Sequence, residues 1–162
     1  MSERAYPPLS GDMSEFVRLL GVHRVEYLLV GGWAVFLHGY PRATGDADFA
    51  YRREAENCVR LYQALREFWG GEVPAVSCAA ELEQEGVVVQ FGRPPNRIDL
   101  LSGAAGLDFG EAWSRRIVVP APGDGELIVC SLRDLRAMKL AAGRPRDADD
   151  LENLPLHEGD EG

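Results

Sequence analysis

Two aspartates separated by one residue, Asp46 and Asp48 in Asp46–Tyr51 (DADFAY), are the residues best placed to do chemistry in this chain. On an extended strand, residues i and i+2 point to the same face, so the two carboxylates project side by side, roughly 7 Å apart at Cα. Like charges held in parallel repel unless a cation lies between them. Oxygen-only sites of this kind suit Mg2+ or Mn2+, which keep waters and take further ligands from substrate phosphates. A third carboxylate, Asp99, lies in Arg97–Leu101 (RIDLL), where Arg97, Asp99 and Leu101 share one face of another short strand. If the two strands are neighbours, three aspartates frame a two-metal site. One metal would neutralise a triphosphate and the other would activate an acceptor hydroxyl for in-line attack.

Taken alone, D-x-D also describes a solvated strand face or a turn, and so short a pattern favours that bland reading. The residues upstream change the weighting. Gly31-Gly32 follows the apolar segment Glu26–Val30 and opens a helix. Glycines there let a phosphate approach the backbone, and free N–H groups at a helix start attract anions. Arg42 and Thr44, between that turn and the aspartates, supply a cation and a hydroxyl able to steady a leaving pyrophosphate.

The elements that must position these residues follow from periodicity. A first helix begins near Asp12 or Ser14 and buries Phe16, Leu19 and Leu20; Glu26–Val30 reads as a strand and Trp33–His38 as a short helix. Asp46–Tyr51 is a second strand, followed by an amphipathic helix from about Glu54 with Cys58, Leu61, Tyr62, Leu65 and Phe68 on one face, ended by Gly70-Gly71. Strands are predicted at Gly86–Phe91, Arg97–Leu101, Ile117–Val119 and Leu127–Val129. Ser131 to Asp134 forms a capping-box-like start to a helix reaching about Ala142, Gly143 breaks it, and Pro145 opens a last helix that ends before Pro155. Strands alternating with helices predict an α/β or α+β fold on a mixed sheet.

Length and composition fit one compact domain: 162 residues, 46% hydrophobic and 27% charged. We assign residues 1–155 to it and 156–162, with His157, to a flexible acidic tail. No signal peptide and no membrane segment is expected, since the longest nearly apolar run, Tyr27–Leu37, holds two glycines and is far shorter than the roughly 20 residues of a spanning helix. Cys58, Cys78 and Cys130 form no C-x-x-C pair; each is read as a small buried hydrophobe in a reducing cytoplasm. The net charge of −9 argues against a large nucleic-acid footprint, although it permits a local basic patch. Phosphate-loop, dinucleotide, zinc-protease and serine-hydrolase signatures are absent.

The segment VGGWAVFLHGYPRATGDADF resembles the signature of the DNA polymerase β-type nucleotidyltransferase superfamily: Gly-Gly, then Asp-x-Asp, with a third Asp on a later strand. It is most similar to a small prokaryotic branch with G-G-x-A-x-x-x-x-G-x-x-R-x-T-x-D-x-D, which includes abortive-infection and related toxin–antitoxin nucleotidyltransferases. The later pattern of that branch, a Lys near a helix end followed by R-x-x-D-x-x-D-L, matches Lys139, Arg144, Asp147, Asp150 and Leu151. The resemblance covers about Val30 to Leu154. It implies a nucleotidyltransferase fold, a short mixed sheet with helices packed mainly on one face. It further implies that Gly31 and Gly32 bind nucleotide phosphates, that Asp46 and Asp48 hold both metals, and that Asp99 completes one metal and helps deprotonate the acceptor.

Helical geometry places Lys139 inside the arc of Leu132, Leu135, Met138 and Ala142, where it either snorkels outward or reaches the triphosphate. Asp147, Asp149 and Asp150 have a structural explanation in the first turn of a helix. Arg97 reads as a salt-bridge partner of Asp99 ahead of a phosphate contact, His38 as the end of its helix, and Trp33 as core. The implied reaction transfers a nucleoside monophosphate from an NTP to RNA (a tRNA end among them), a protein or a small molecule, and the toxin-like branch implies an antitoxin protein partner. GGWAV also resembles the start of aminoglycoside and lincosamide nucleotidyltransferases. A catalytically silent binding or antitoxin module is the alternative from another class, and it would be expected to lose an aspartate.

Overall fold

The computed structural model describes residues 11–41, 46–93, 96–121 and 125–155. Arg42, Thr44 and the 156–162 tail therefore lie outside the described residues. Seven helices and six strands are described, in the order α1 (Gly11–Val22), β1 (Tyr27–Val30), α2 (Gly31–Leu37), β2 (Asp46–Tyr51), α3 (Ala55–Trp69), α4 (Ala79–Leu82), β3 (Val88–Phe91), β4 (Arg97–Leu101), α5 (Phe109–Ser114), β5 (Ile117–Pro120), β6 (Glu126–Val129), α6 (Leu132–Ala142) and α7 (Pro145–Asn153). The strands form one mixed sheet, β3-β4-β2-β1-β6-β5. This is the α/β architecture expected of a nucleotidyltransferase fold.

Pairing explains why the sheet has this order. Strands β1 and β2 run antiparallel, as do β3 with β4 and β5 with β6. The parallel pairs are β2 with β4 and β1 with β6. All four residues of β1 are buried, as a central strand covered on both faces requires. On one face Phe49 meets Phe16 of α1 and Tyr27 edge-on, and Phe16 meets Phe68 of α3 in the same way, each pair 5.5 Å apart. Cys58, Leu61 and Leu65 of α3 are buried as their spacing predicts.

The caps hold the ends of the elements. Gly70 ends α3 and Gly143 ends α6, both left-handed, and Ser131 Oγ accepts the Asp134 N–H at the start of α6. Helix α2 starts at Gly31, two residues before the predicted Trp33, so the glycine pair lies within its first turn. Helices α4 and α5 were not predicted. Each is at most six residues long, too short for a periodic signal, although Asp108 capping the Glu111 N–H was readable as a start signal. Cys78 corrects an expectation: it is exposed, because it precedes α4 in a surface connection, whereas Cys58 and Cys130 are buried and all three are free. No described helix is long and apolar enough to cross a membrane.

Candidate active site

Register brings the predicted carboxylates together. Because β2 and β4 are parallel, Asp48 stands opposite Asp99 and Asp46 opposite Arg97. Val30, the last residue of β1, stands opposite Asp48 on the other side, and Gln90 of β3 opposite Asp99. One row across the sheet thus reads Val30, Asp48, Asp99, Gln90, and helix α2 starts immediately after its first member.

Gly31 makes that proximity possible. Its φ is +69°, and a Cβ there would collide with Asp48 Oδ2, so both backbone conformation and space demand glycine. The same carboxylate lines a small pocket of about 130 Å3 with Val30, Gly31, Met138, Lys139, Arg144 and Asp147. Strand β2, the start of α2, the end of α6 and the start of α7 therefore converge on one place.

Electrostatics there are unbalanced. Burial, then the neighbouring charges of Asp99 and Asp46 and a hydrogen bond with Asp99, push the Asp48 carboxyl up to about 7, against a partial lowering by Arg97. Arg97 is the cation that compensates the cluster. Its Nε donates to Asp99 Oδ1 at 2.9 Å and its Nη2 to Asp99 Oδ2 at 3.1 Å. The same Nη2 lies 2.8 Å from Asp46 Oδ2. The predicted Asp99 partnership of Arg97 is observed, and its second arm to Asp46 was not foreseen. Asp46 Oδ1 is buried and has no hydrogen-bond partner among the described residues.

Lys139 is buried, as its helical position predicts, but its ammonium does not snorkel to solvent. Nζ lies 3.2 Å from Asp147 Oδ1 and 2.9 Å from Asp150 Oδ2, both fully buried carboxylates. The Arg144 guanidinium, its backbone N–H and Lys139 together hold the Asp147 carboxyl down to about 2 against the opposing effect of burial. The acids of α7 are thus the counter-ions that fix Lys139 beside the Asp48 pocket. His38 ends α2 and bonds the Cys130 carbonyl at 2.8 Å, and Trp33 is core.

The donors present, carboxylate oxygens alone, are of the kind a hard divalent cation takes. Three carboxylates share one face of two paired strands, one of their buried oxygens has no partner among the described residues, and one carboxyl is raised by burial and by its acidic neighbours. Among the described residues no group of three acids, histidines or cysteines is gathered at ligating distance, and Arg97 bridges Asp46 and Asp99. Mixed sheet, glycine pair after a central strand, and aspartates on paired strands together define a nucleotidyltransferase-type domain. The chain belongs to the family described as nucleotidyltransferase of unknown function (DUF6036), which it matches over residues 12–158. No curated protein matches it.

Proposed function

We propose that this protein is a Mg2+- or Mn2+-dependent nucleotidyltransferase that moves a nucleoside monophosphate from an NTP to an acceptor hydroxyl. The observation that carries this reading is the register that sets Asp48 of β2 opposite Asp99 of β4, with Asp46 on the same face and Gly31 against Asp48. Asp46, Asp48 and Asp99 would hold the metal, which when bound supplies charge neutralisation on the triphosphate and lowers the pKa of the acceptor hydroxyl.

The chain's own residues have separate tasks. The Gly31-Gly32 backbone, which carries no side chain of its own, receives the β- and γ-phosphates beside the Asp48 carboxylate; Arg42 and Thr44 are assigned to the same phosphates by their place in the sequence. Asp99 takes the acceptor proton as the acceptor oxygen bonds to the α-phosphorus. The bond from that phosphorus to the β-phosphoryl oxygen breaks, and pyrophosphate leaves with the electron pair. Lys139, assigned to the nucleotide by the family resemblance, is fixed at the pocket wall by Asp147 and Asp150. Retention of all three aspartates disfavours a silent binding or antitoxin module.

For the acceptor, an acidic chain of net charge −9 is easier to reconcile with a protein or a cationic small molecule, including an aminoglycoside, than with RNA. A toxin–antitoxin role and ATP as the donor rest on the family resemblance, and a cytoplasmic location on the scattered, unpaired cysteines. The test is incubation with each α-32P-labelled NTP and Mg2+, with total RNA, cell lysate and an aminoglycoside panel offered separately. Label transferred by wild type and not by Asp46→Ala/Asp48→Ala supports the proposal and names the acceptor class. No transfer, together with no Mg2+-dependent NTP binding, would sink it.

A further inference from the structure

We infer that Arg97 is an internal cation that competes with the metal for the aspartates and makes metal loading depend on nucleotide; this rests on the metal-dependent reading proposed above. Three carboxylate oxygens of the residues that would hold the metal, Asp46 Oδ2 and both oxygens of Asp99, are engaged by this one guanidinium at 2.8 to 3.1 Å. A guanidinium matches a carboxylate with two parallel N–H donors and is weakly hydrated, so it holds such a partner well. Mg2+ gives up its water reluctantly and needs near-octahedral oxygen geometry. Arriving alone, it must break the forked pair with Asp99 and the arm to Asp46 and still find ligands beyond the protein's own.

Nucleotide changes that balance in two ways. A triphosphate brings oxygens that complete the metal's coordination, and it offers the displaced guanidinium a new anionic partner of the kind it pairs with best. Arg97 is placed to make the exchange. Its side chain is 30% exposed at the first position of β4, so its head can move without opening the core. Asp99 is anchored in the sheet at 10% side-chain exposure, so the arginine and not the aspartate is the mobile partner. The two sequence-level readings of Arg97, salt bridge and phosphate contact, become two positions of one side chain. Arg97 is a positioning residue in the first and a substrate contact in the second.

The test measures metal, not turnover. Mn2+ binding is followed by calorimetry and by electron paramagnetic resonance for wild type and Arg97→Met, with and without a non-hydrolysable α,β-methylene NTP. The expected result is at least tenfold tighter Mn2+ binding by Arg97→Met alone, and a tightening by nucleotide that is large in wild type and small in the variant. Arg97→Lys, which keeps the charge and loses the fork, should fall between them and serves if Arg97→Met does not fold. In wild type, the Arg97 Nε–H NMR signal should shift when Mg2+ and the NTP analogue are added together and hold still with Mg2+ alone at the same concentration. Wild type that gains Mn2+ affinity from nucleotide while Arg97→Met binds Mn2+ no more tightly would overturn the competition and leave the metal-dependent reading standing. Absence of Mn2+ binding in every protein, nucleotide included, would overturn both.

Discussion

Gly31 and Asp48 are a single unit at the residue scale, since the space a Cβ would need at 31 is filled by the Asp48 carboxylate. Gly31→Ala should cost about 2 kcal/mol or more, from the left-handed backbone and the collision together. It should also abolish NTP binding. Pairing it with Asp48→Ala relieves the collision but not the backbone strain, so the double variant should lose less stability in urea than the two single losses combined. Asp48 also predicts a pH effect. Its folded carboxyl is pushed up to about 7 from an ordinary 3.8, so the folded state binds the extra proton and stability falls as pH rises between those values. Asp48→Asn should therefore raise the melting temperature in EDTA at pH 8, by roughly 5 °C for about 2 kcal/mol, and leave it unchanged below pH 4. A melting curve at the two pH values decides it. The D-x-D pair was legible in the sequence because strand alternation alone puts both carboxylates on one face. The double grip of Arg97 was not. It depends on Asp46 standing opposite Arg97 across β2 and β4, and nothing in either segment states that the two strands are neighbours.

Among the elements, the α6–α7 corner is held by charge. Lys139 is buried between Asp147 and Asp150, and Arg144 closes Asp147 from outside with a donor at 2.7 Å. Removing the Lys139 ammonium takes away the buried cation that the two carboxylates share and leaves Asp147 with Arg144 alone. Lys139→Met should cost about 3–5 kcal/mol, seen as a lowered urea midpoint at pH 7. Adding Asp147→Asn and Asp150→Asn to it should recover part of that loss, since the buried negative charge that Lys139 balanced is then gone. If Lys139→Met alone left the midpoint unmoved, the ion cage would not be what docks α7. Helix α6 was readable in advance from Ser131, the apolar arc and Gly143, and Pro145 marked α7. Which partner Lys139 takes was not readable, because position on a helix face fixes burial and leaves the facing element unspecified. The glycine pair misled the start of α2 for a related reason: glycine usually interrupts a helix, and here the approach of Asp48 requires it inside the first turn.

Across the whole molecule, the sheet order gathers segments far apart in the chain around one small pocket: Val30 and Gly31, Asp48, Leu101, and the α6–α7 corner from Leu135 to Asp147. A ligand that touches all of them cross-links the fold, so its binding energy adds directly to global stability. At a concentration one hundred times its dissociation constant, such a ligand stabilises by about 2.7 kcal/mol. For a domain of this size that is a rise in melting temperature of roughly 5–10 °C. NTP with Mg2+ should therefore produce a rise of that order, and Mg2+ alone should produce little, because Arg97 already engages Asp46 and Asp99. The Asp46→Asn/Asp48→Asn variant should lose the ligand-dependent rise while keeping a folded baseline. The four NTPs compared in one thermal-shift series would also rank the donor, since each melting-temperature rise scales with the logarithm of concentration over dissociation constant. Equal shifts with and without Mg2+ would mean that the triphosphate is held by the backbone and basic residues alone, and that the three aspartates serve something other than a metal.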